Sequence, residues 1–251
     1  MKAAVSIALA SLILPLTLRA DIIARWTFEG TTNSNSPPPA IGIGTATLIG
    51  GTTATFASGN SSSSGWNTST YPPQGTNSGT AGVQFLVSTL GYENITLQFD
   101  HRASGTASRW AQLDYTLDGG STWTLNFWTN NGGLSPHDTF YTFTVDFSSV
   151  PGVNDNPNFG FRIVSIFSPR PFAQNASLTY SANQAYMRAN AEAVYLPGTG
   201  SGTGNYGSGG TWRFDNVTIS GTLIPEPSAA ALIVLSLVAW PAARRTLRPR
   251  G

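Results

Sequence analysis

A two-residue alternation of apolar and polar side chains recurs along the chain, and it constrains the fold more than any other feature. Ile95, Leu97 and Phe99 alternate with Thr96, Gln98 and Asp100, and Tyr141, Phe143, Val145 and Phe147 with Thr142, Thr144 and Asp146. Ala24, Trp26 and Phe28 do the same against Arg25, Thr27 and Glu29. Successive side chains of a strand point to opposite sides, so each pattern gives one face to a core and one to water. Further strands are expected at Val83–Ser88, Trp110–Leu117, Trp123–Trp128, Phe159–Phe167, Ala191–Leu196 and Trp212–Ile219. No stretch between 21 and 222 carries a long helical period. Clusters of Gly, Ser, Asn and Pro separate the strands, and Thr31–Ala40, Ser58–Gly79 and Gly198–Gly210 read as surface loops. The expected fold is all-β: one antiparallel two-sheet sandwich of jelly-roll type over residues 21–222.

Composition narrows what such a body can do. With 40% hydrophobic and 11% aromatic residues there is ample material for a core. The absence of cysteine excludes disulfides and thiolate metal sites. Residues 21–224 hold seven arginines, no lysine and eleven acids, a net charge of −4. An acidic body without lysine has no basic face for nucleic acid, so no nucleic-acid partner is expected.

The two ends read as addresses. Lys2, the apolar run Ala3–Leu16 and the small Ala20 make residues 1–20 a signal peptide, read by the secretion machinery and cleaved after Ala20. At the other end Pro225-Glu226-Pro227 precedes an uncharged apolar stretch, Ala229–Trp240, and then Arg244, Arg245, Arg248 and Arg250. A transmembrane helix over 228–243 would be about 24 Å long, short of the roughly 30 Å hydrocarbon core. Basic residues directly after it would stay in the cytoplasm, leaving the body outside. A plain C-terminal anchor is the alternative reading of the same residues.

Taken in that order, Pro225–Gly251 resembles the PEP-CTERM sorting signal, whose cognate membrane protease is called exosortase. The resemblance implies that Pro225, Glu226 and Pro227 form the recognition motif. It also implies that the helix and the basic tail, 244–251, hold that motif at the membrane, as precursor, until processing releases or re-anchors the body in the cell envelope or extracellular matrix. Proteins of this kind occur in Gram-negative bacteria that make extracellular polysaccharide.

Inside the body the best local motif is Thr116-Leu117-Asp118-Gly119-Gly120-Ser121-Thr122-Trp123. It predicts a tight hairpin with glycine at positive φ and Asp118 accepting from nearby amides. It resembles an Asp box, a structural hairpin of secreted β proteins. Gly202-Thr203-Gly204-Asn205-Tyr206-Gly207 spells a dinucleotide fingerprint, but a strand follows it where a helix is required. Catalytic constellations are missing. His101 and His137 are the only histidines, there is no G-x-S-x-G elbow, and the body's three glutamates (Glu29, Glu93, Glu192) form no strand pattern. Asp100-His101-Arg102 reads as a solvated strand edge.

Trp66, Tyr71, Tyr180, Tyr186 and Tyr206 lie in or beside polar loops, where an aromatic ring can stack on a sugar or pin the loop to the sandwich. Trp26-Thr27-Phe28-Glu29-Gly30 and Trp212-Arg213-Phe214-Asp215-Asn216-Val217 are similar to the first and last strands of jelly-roll carbohydrate-binding modules. That similarity implies neighbouring end strands and one structural calcium ion, for which Glu29 and Asp215 are the candidate ligands. A salt bridge from Arg213 to either acid is the alternative. The expected protein is therefore exported, non-catalytic, and carbohydrate- or exopolysaccharide-binding. A purely structural surface protein and a divergent secreted glycosidase are the other two readings.

Overall fold

The computed structural model describes residues 19–129, 139–175, 177–189 and 206–225. Every regular element in these segments is a strand. In chain order they are β1 (Ala20–Trp26), β2 (Ile41–Gly42), β3 (Thr45–Ile49), β4 (Thr53–Ala57), β5 (Gly65–Ser69), β6 (Gly82–Leu86) and β7 (Tyr92–Ala103). There follow β8 (Ala111–Thr116), β9 (Thr124–Thr129), β10 (Tyr141–Asp146), β11 (Gly160–Ser165), β12 (Phe172–Asn175), β13 (Leu178–Tyr180) and β14 (Trp212–Leu223).

One sheet runs β10-β7-β14-β1-β2, with β5 and then β4 joined at the side of β14; the other runs β3-β6-β11-β8-β9. All main-sheet pairings are antiparallel. The chain passes from one sheet to the other between β2 and β3, β3 and β4, β5 and β6, β6 and β7, β7 and β8, β9 and β10, and β10 and β11. These repeated crossings are those of a jelly roll. β12 and β13 form a separate hairpin.

Alternation does the work expected of it. Ile95, Leu97 and Phe99 of β7 and Phe143 and Val145 of β10 turn into the core, while Gln98, Thr142 and Thr144 face out. From the other sheet Val83, Phe85, Phe161 and Ile163 face them. Trp26 meets Phe85 edge-on across the layers at 5.0 Å, and Phe85 stacks on Phe161 of the neighbouring strand at 4.9 Å. Such contacts add about 0.5–1.5 kcal/mol each beyond burial alone.

β1 and β14 are neighbours, with Ala20 opposite Thr222 and Trp26 opposite Val217. The body therefore begins and ends at one place on one sheet. β14 changes partner midway. Trp212–Phe214 pair with β5, whereas Val217–Thr222 pair with β1. At the changeover Asn216 takes φ +49°, and the register with β7 slips between Asp215 and Thr218. This bulge keeps Trp212 and Phe214 on the same core face as Val217 and Ile219.

Four expectations need correction or placing. Ser58–Gly79 is not one loop, because β5 lies inside it, and the β4–β5 hairpin and β3 are elements the alternation did not reveal. Asp100-His101-Arg102 is not a solvated edge: β7 has a strand on each side, and Asp100 and His101 are buried. Strict alternation along β14 would put Asp215 on the face of Val217, but the bulge intervenes and separates them. Ala191–Leu196, His137, residues 1–18, Glu226, Pro227, the 228–243 stretch and the basic tail lie outside the described residues.

Candidate functional site

The aromatic residues expected to offer a stacking platform are mostly inside. Trp66 is fully buried, stacks on Phe28 at 5.6 Å, and donates its Nε1–H to Ser34 O at 2.7 Å. Tyr71 packs on Trp212 at 4.9 Å and shares a 2.6 Å hydrogen bond with Thr68. Tyr186 and Tyr206 stack on each other at 4.6 Å, and their hydroxyls donate to Thr76 O and Pro72 O. Burial raises the pKa of all three tyrosines. These four rings pin long loops and offer no face to a sugar. Tyr180 is half-buried beside Phe172, at 5.3 Å, on the separate hairpin.

The two acids expected to hold calcium do come to one loop, residues 58–64, but as hydrogen-bond acceptors. Asp215 Oδ2 receives the Asn60 N–H (2.8 Å) and the Ser62 hydroxyl (2.7 Å), and Oδ1 receives the Asn216 N–H (2.7 Å). Glu29 receives the Ser64 N–H at 2.7 Å and the Ser63 hydroxyl. The Ser63 hydroxyl, then the Ser64 amide, hold Glu29 below the usual carboxylate range, while burial pushes Asp215 up. A hard cation needs oxygen lone pairs turned towards it, and here amide and hydroxyl protons are directed at both carboxylates. Among the described residues no group of three or more potential ligands gathers. Arg213 reaches Asn67 Oδ1 and Ser58 O on the same side of the sheet.

Next to this loop lies a polar surface of the seven-stranded sheet. The outward side chains of β10, β7, β14 and β1 form a depression of about 410 Å3. Register brings its rows together: Thr142 is opposite Asp100, Gln98 opposite Thr218, and Thr218 opposite Arg25. Asp100 anchors the floor, taking Thr142 Oγ1 at 2.5 Å, Asn60 Nδ2 at 3.0 Å and Asn216 Nδ2 at 2.9 Å. Asn216 in turn accepts Arg25 Nη2 at 2.9 Å. Its side chain can do both because the bulge turns it towards this face. Arg25 Nε is buried and meets no acceptor among the described residues, an uncompensated donor of the kind that native structures rarely keep. Gln98 and Ser220, also in the lining, make no side-chain hydrogen bond with a described residue. Ile22 supplies the only apolar rim.

Nothing here has the arrangement of a hydrolytic acid pair. Asp100 and Asp215 are partners in register, but Asp215 is fully buried and both carboxylates are held by fixed donors. Sequence reasoning saw Gln98, Asp100 and Thr142 as the wet side of their strands, yet not as a site together with Arg25, Thr218 and Ser220.

The opposite sheet carries a polar row that is already satisfied. Arg162 Nε bonds Asp114 Oδ2 at 2.8 Å, Gln112 Nε2 bonds Asp114 Oδ1 at 2.8 Å, and the Arg162 guanidinium lies 4.5 Å from the Trp123 ring centre. Trp123 closes the Asp-box hairpin. There Gly119 and Gly120 take φ +72° and +94°, and Asp118 accepts the Thr122 N–H at 2.9 Å and its hydroxyl at 2.6 Å. The hairpin is a turn lock, as its chemistry predicts.

No family model and no curated protein match this chain. Similar solved structures exist. The CBM22-1 xylan-binding domain of Paenibacillus barcinonensis Xyn10C matches at 9% identity and a TM-score of 0.45, covering 84% of this chain and 99% of that one. The family 11 carbohydrate-binding module of Clostridium thermocellum, solved with a mixed-linked tetrasaccharide, gives 12% identity and 0.37, over 82% and 100%. The mannan-recognising module TmCBM27 gives 13% and 0.41, over 81% and 98%. Likeness at this level carries no functional weight, so the site is read from its own geometry.

Proposed function

We propose that this protein is an exported, non-catalytic component of the cell envelope or its matrix, and that its body binds a carbohydrate chain in the depression on the seven-stranded sheet. The observation that carries this reading is the set of polar groups with hydrogen-bonding capacity to spare there: Gln98 and Ser220, with Arg25 and Thr218 only partly engaged, around an Asp100 floor. A surface meant only for water has no need to gather an arginine whose buried Nε meets no described acceptor into a concave site. A glycan, dense in hydroxyls that both donate and accept, matches such a lining. The satisfied state of Asp100 and Asp215 argues for binding rather than cleavage.

Export and sorting rest on the resemblance of Pro225–Gly251 to the PEP-CTERM signal. In this reading an exosortase-type protease recognises Pro225-Glu226-Pro227, while the apolar stretch and arginines keep the precursor in the membrane. Glu226→Ala is expected to leave unprocessed precursor in the membrane fraction of the native host. Processing and distribution equal to wild type would refute the sorting role.

For the body, the test is affinity electrophoresis of the full chain, in a non-glycosidic detergent, through gels containing soluble polysaccharides. Retardation by at least one of them is the expected result. Uniform mobility across a broad set would leave a purely structural surface protein.

A further inference from the structure

Two properties of the depression bear on the class of glycan: how its hydrogen-bonding groups are mixed, and the sign of the charge beneath it. Donors and acceptors are interleaved across the strands. Arg25 supplies donors, and its Nη2 meets a neutral amide oxygen rather than a carboxylate. Thr142 and Thr218 spend their hydroxyl protons on Asp100 Oδ1 and Asn216 O, which leaves each hydroxyl oxygen to accept. Gln98 and Ser220 can do either. A ligand carboxylate or sulfate only accepts, so it would satisfy Arg25 and confront the oxygen lone pairs around it. A sugar hydroxyl satisfies both kinds of neighbour.

The charge beneath the site points the same way. Arg25 is the one cation among the described residues of the lining, whereas Asp100 lies in the floor and Asp215 sits directly across the register from it. An anionic residue would meet net negative charge, in a body that itself carries −4 between 21 and 224. Among the described residues no aromatic ring lines the depression. Ring stacking is therefore not the source of affinity, and a flat crystalline surface has nothing to lie on.

Resting on the glycan-binding reading above, we infer that the site takes an uncharged, soluble polysaccharide chain, recognised edge-on through its hydroxyls, with Arg25 as the discriminating residue.

The test is affinity electrophoresis of the full chain in the same detergent, with a neutral set (β-glucan, xylan, mannan) and an acidic set (polygalacturonate, alginate). The expected result is retardation by a member of the neutral set that changes little between about 50 and about 500 mM salt, since screening weakens only charge–charge contacts. Arg25→Met is expected to weaken that binding about ten- to a hundredfold, the scale of a lost charged hydrogen bond. Gln98→Leu, at an exposed position whose side chain makes no hydrogen bond with a described residue, is expected to weaken it by several-fold with an unchanged melting temperature. It keeps the test decisive if Arg25→Met folds poorly. Preference for the acidic set, or neutral binding that survives both substitutions, overturns this inference and leaves glycan binding standing. No retardation by either set overturns both.

Discussion

At Asp118 three donors converge on one carboxylate, and the consequence is a pH dependence. The Thr122 hydroxyl and amide, with help from Thr116, hold the group down to about 2. A carboxyl depressed by folding contributes stability that is present above its unfolded value, near 4, and lost as pH falls through about 2. His101 acts in a different window. It is wholly buried, with Trp212 and Phe214 edge-on at 5.2 and 5.0 Å, and burial pushes it down to about 3. The unfolded chain takes up a proton near pH 6.5 and the folded one does not, so stability falls from about pH 6.5 towards 3. Urea midpoints between pH 7 and pH 4 are expected to drop for wild type and to flatten for His101→Phe. Asp118→Asn is expected to lower the midpoint at pH 6 and to reduce the further loss between pH 4 and pH 2. A wild-type curve with no slope between pH 6.5 and 4 would contradict the neutral, buried histidine.

Strands differ in how openly the sequence announces them. In β7 and β10 alternation is unbroken, because each has a core on one side and water on the other, and both were legible. β5 was not: Gly65-Trp66-Asn67-Thr68-Ser69 offers one bulky apolar side chain, so a period has nothing to count. Its burial comes from partners distant in sequence, Phe28 and Phe85 against the indole and Ser34 over its Nε1. Trp66→Ala is accordingly expected to cost about 3–5 kcal/mol of stability. Polysaccharide affinity of the folded protein should be unchanged, as gel retardation at low temperature would measure. In β14 a single extra residue, Asn216, moved Asp215 off the face that strict alternation assigns it. The site was illegible for a related reason. Outward Thr, Gln and Ser mark a wet face on any strand, and only the mutual register of four strands shows which of them meet Arg25. Replacing Asn216 by Val puts a β-branched residue at φ +49° and is expected to cost about 1–3 kcal/mol, read by chemical denaturation.

For the molecule as a whole, the loop at 58–64 closes one side of the seven-stranded sheet through hydrogen bonds to Glu29, Asp100 and Asp215. Because amide and hydroxyl donors hold these acids, thermal melts in calcium and in chelator are expected to coincide. A melting point that rises with free calcium would show a cation bound to the native state and reverse the assignment of that loop. The sheet also fixes how the body meets the rest of its chain. With Ala20 opposite Thr222, the first and last strands finish roughly 5 Å apart, the spacing of paired antiparallel residues. Neither sheet depends on which peptide bond happens to be left open. A circularly permuted body can join Leu223 to Ala20 through a linker of about four Gly/Ser residues, since short closures cost little entropy. New ends fit at Gly51, in the β3–β4 turn, where even an added methyl group meets nothing within 4 Å. Such a permutant would keep both sheets while its termini leave from the connection between β3 of one sheet and β4 of the other, so the point of attachment becomes separable from the β1–β14 seam by design.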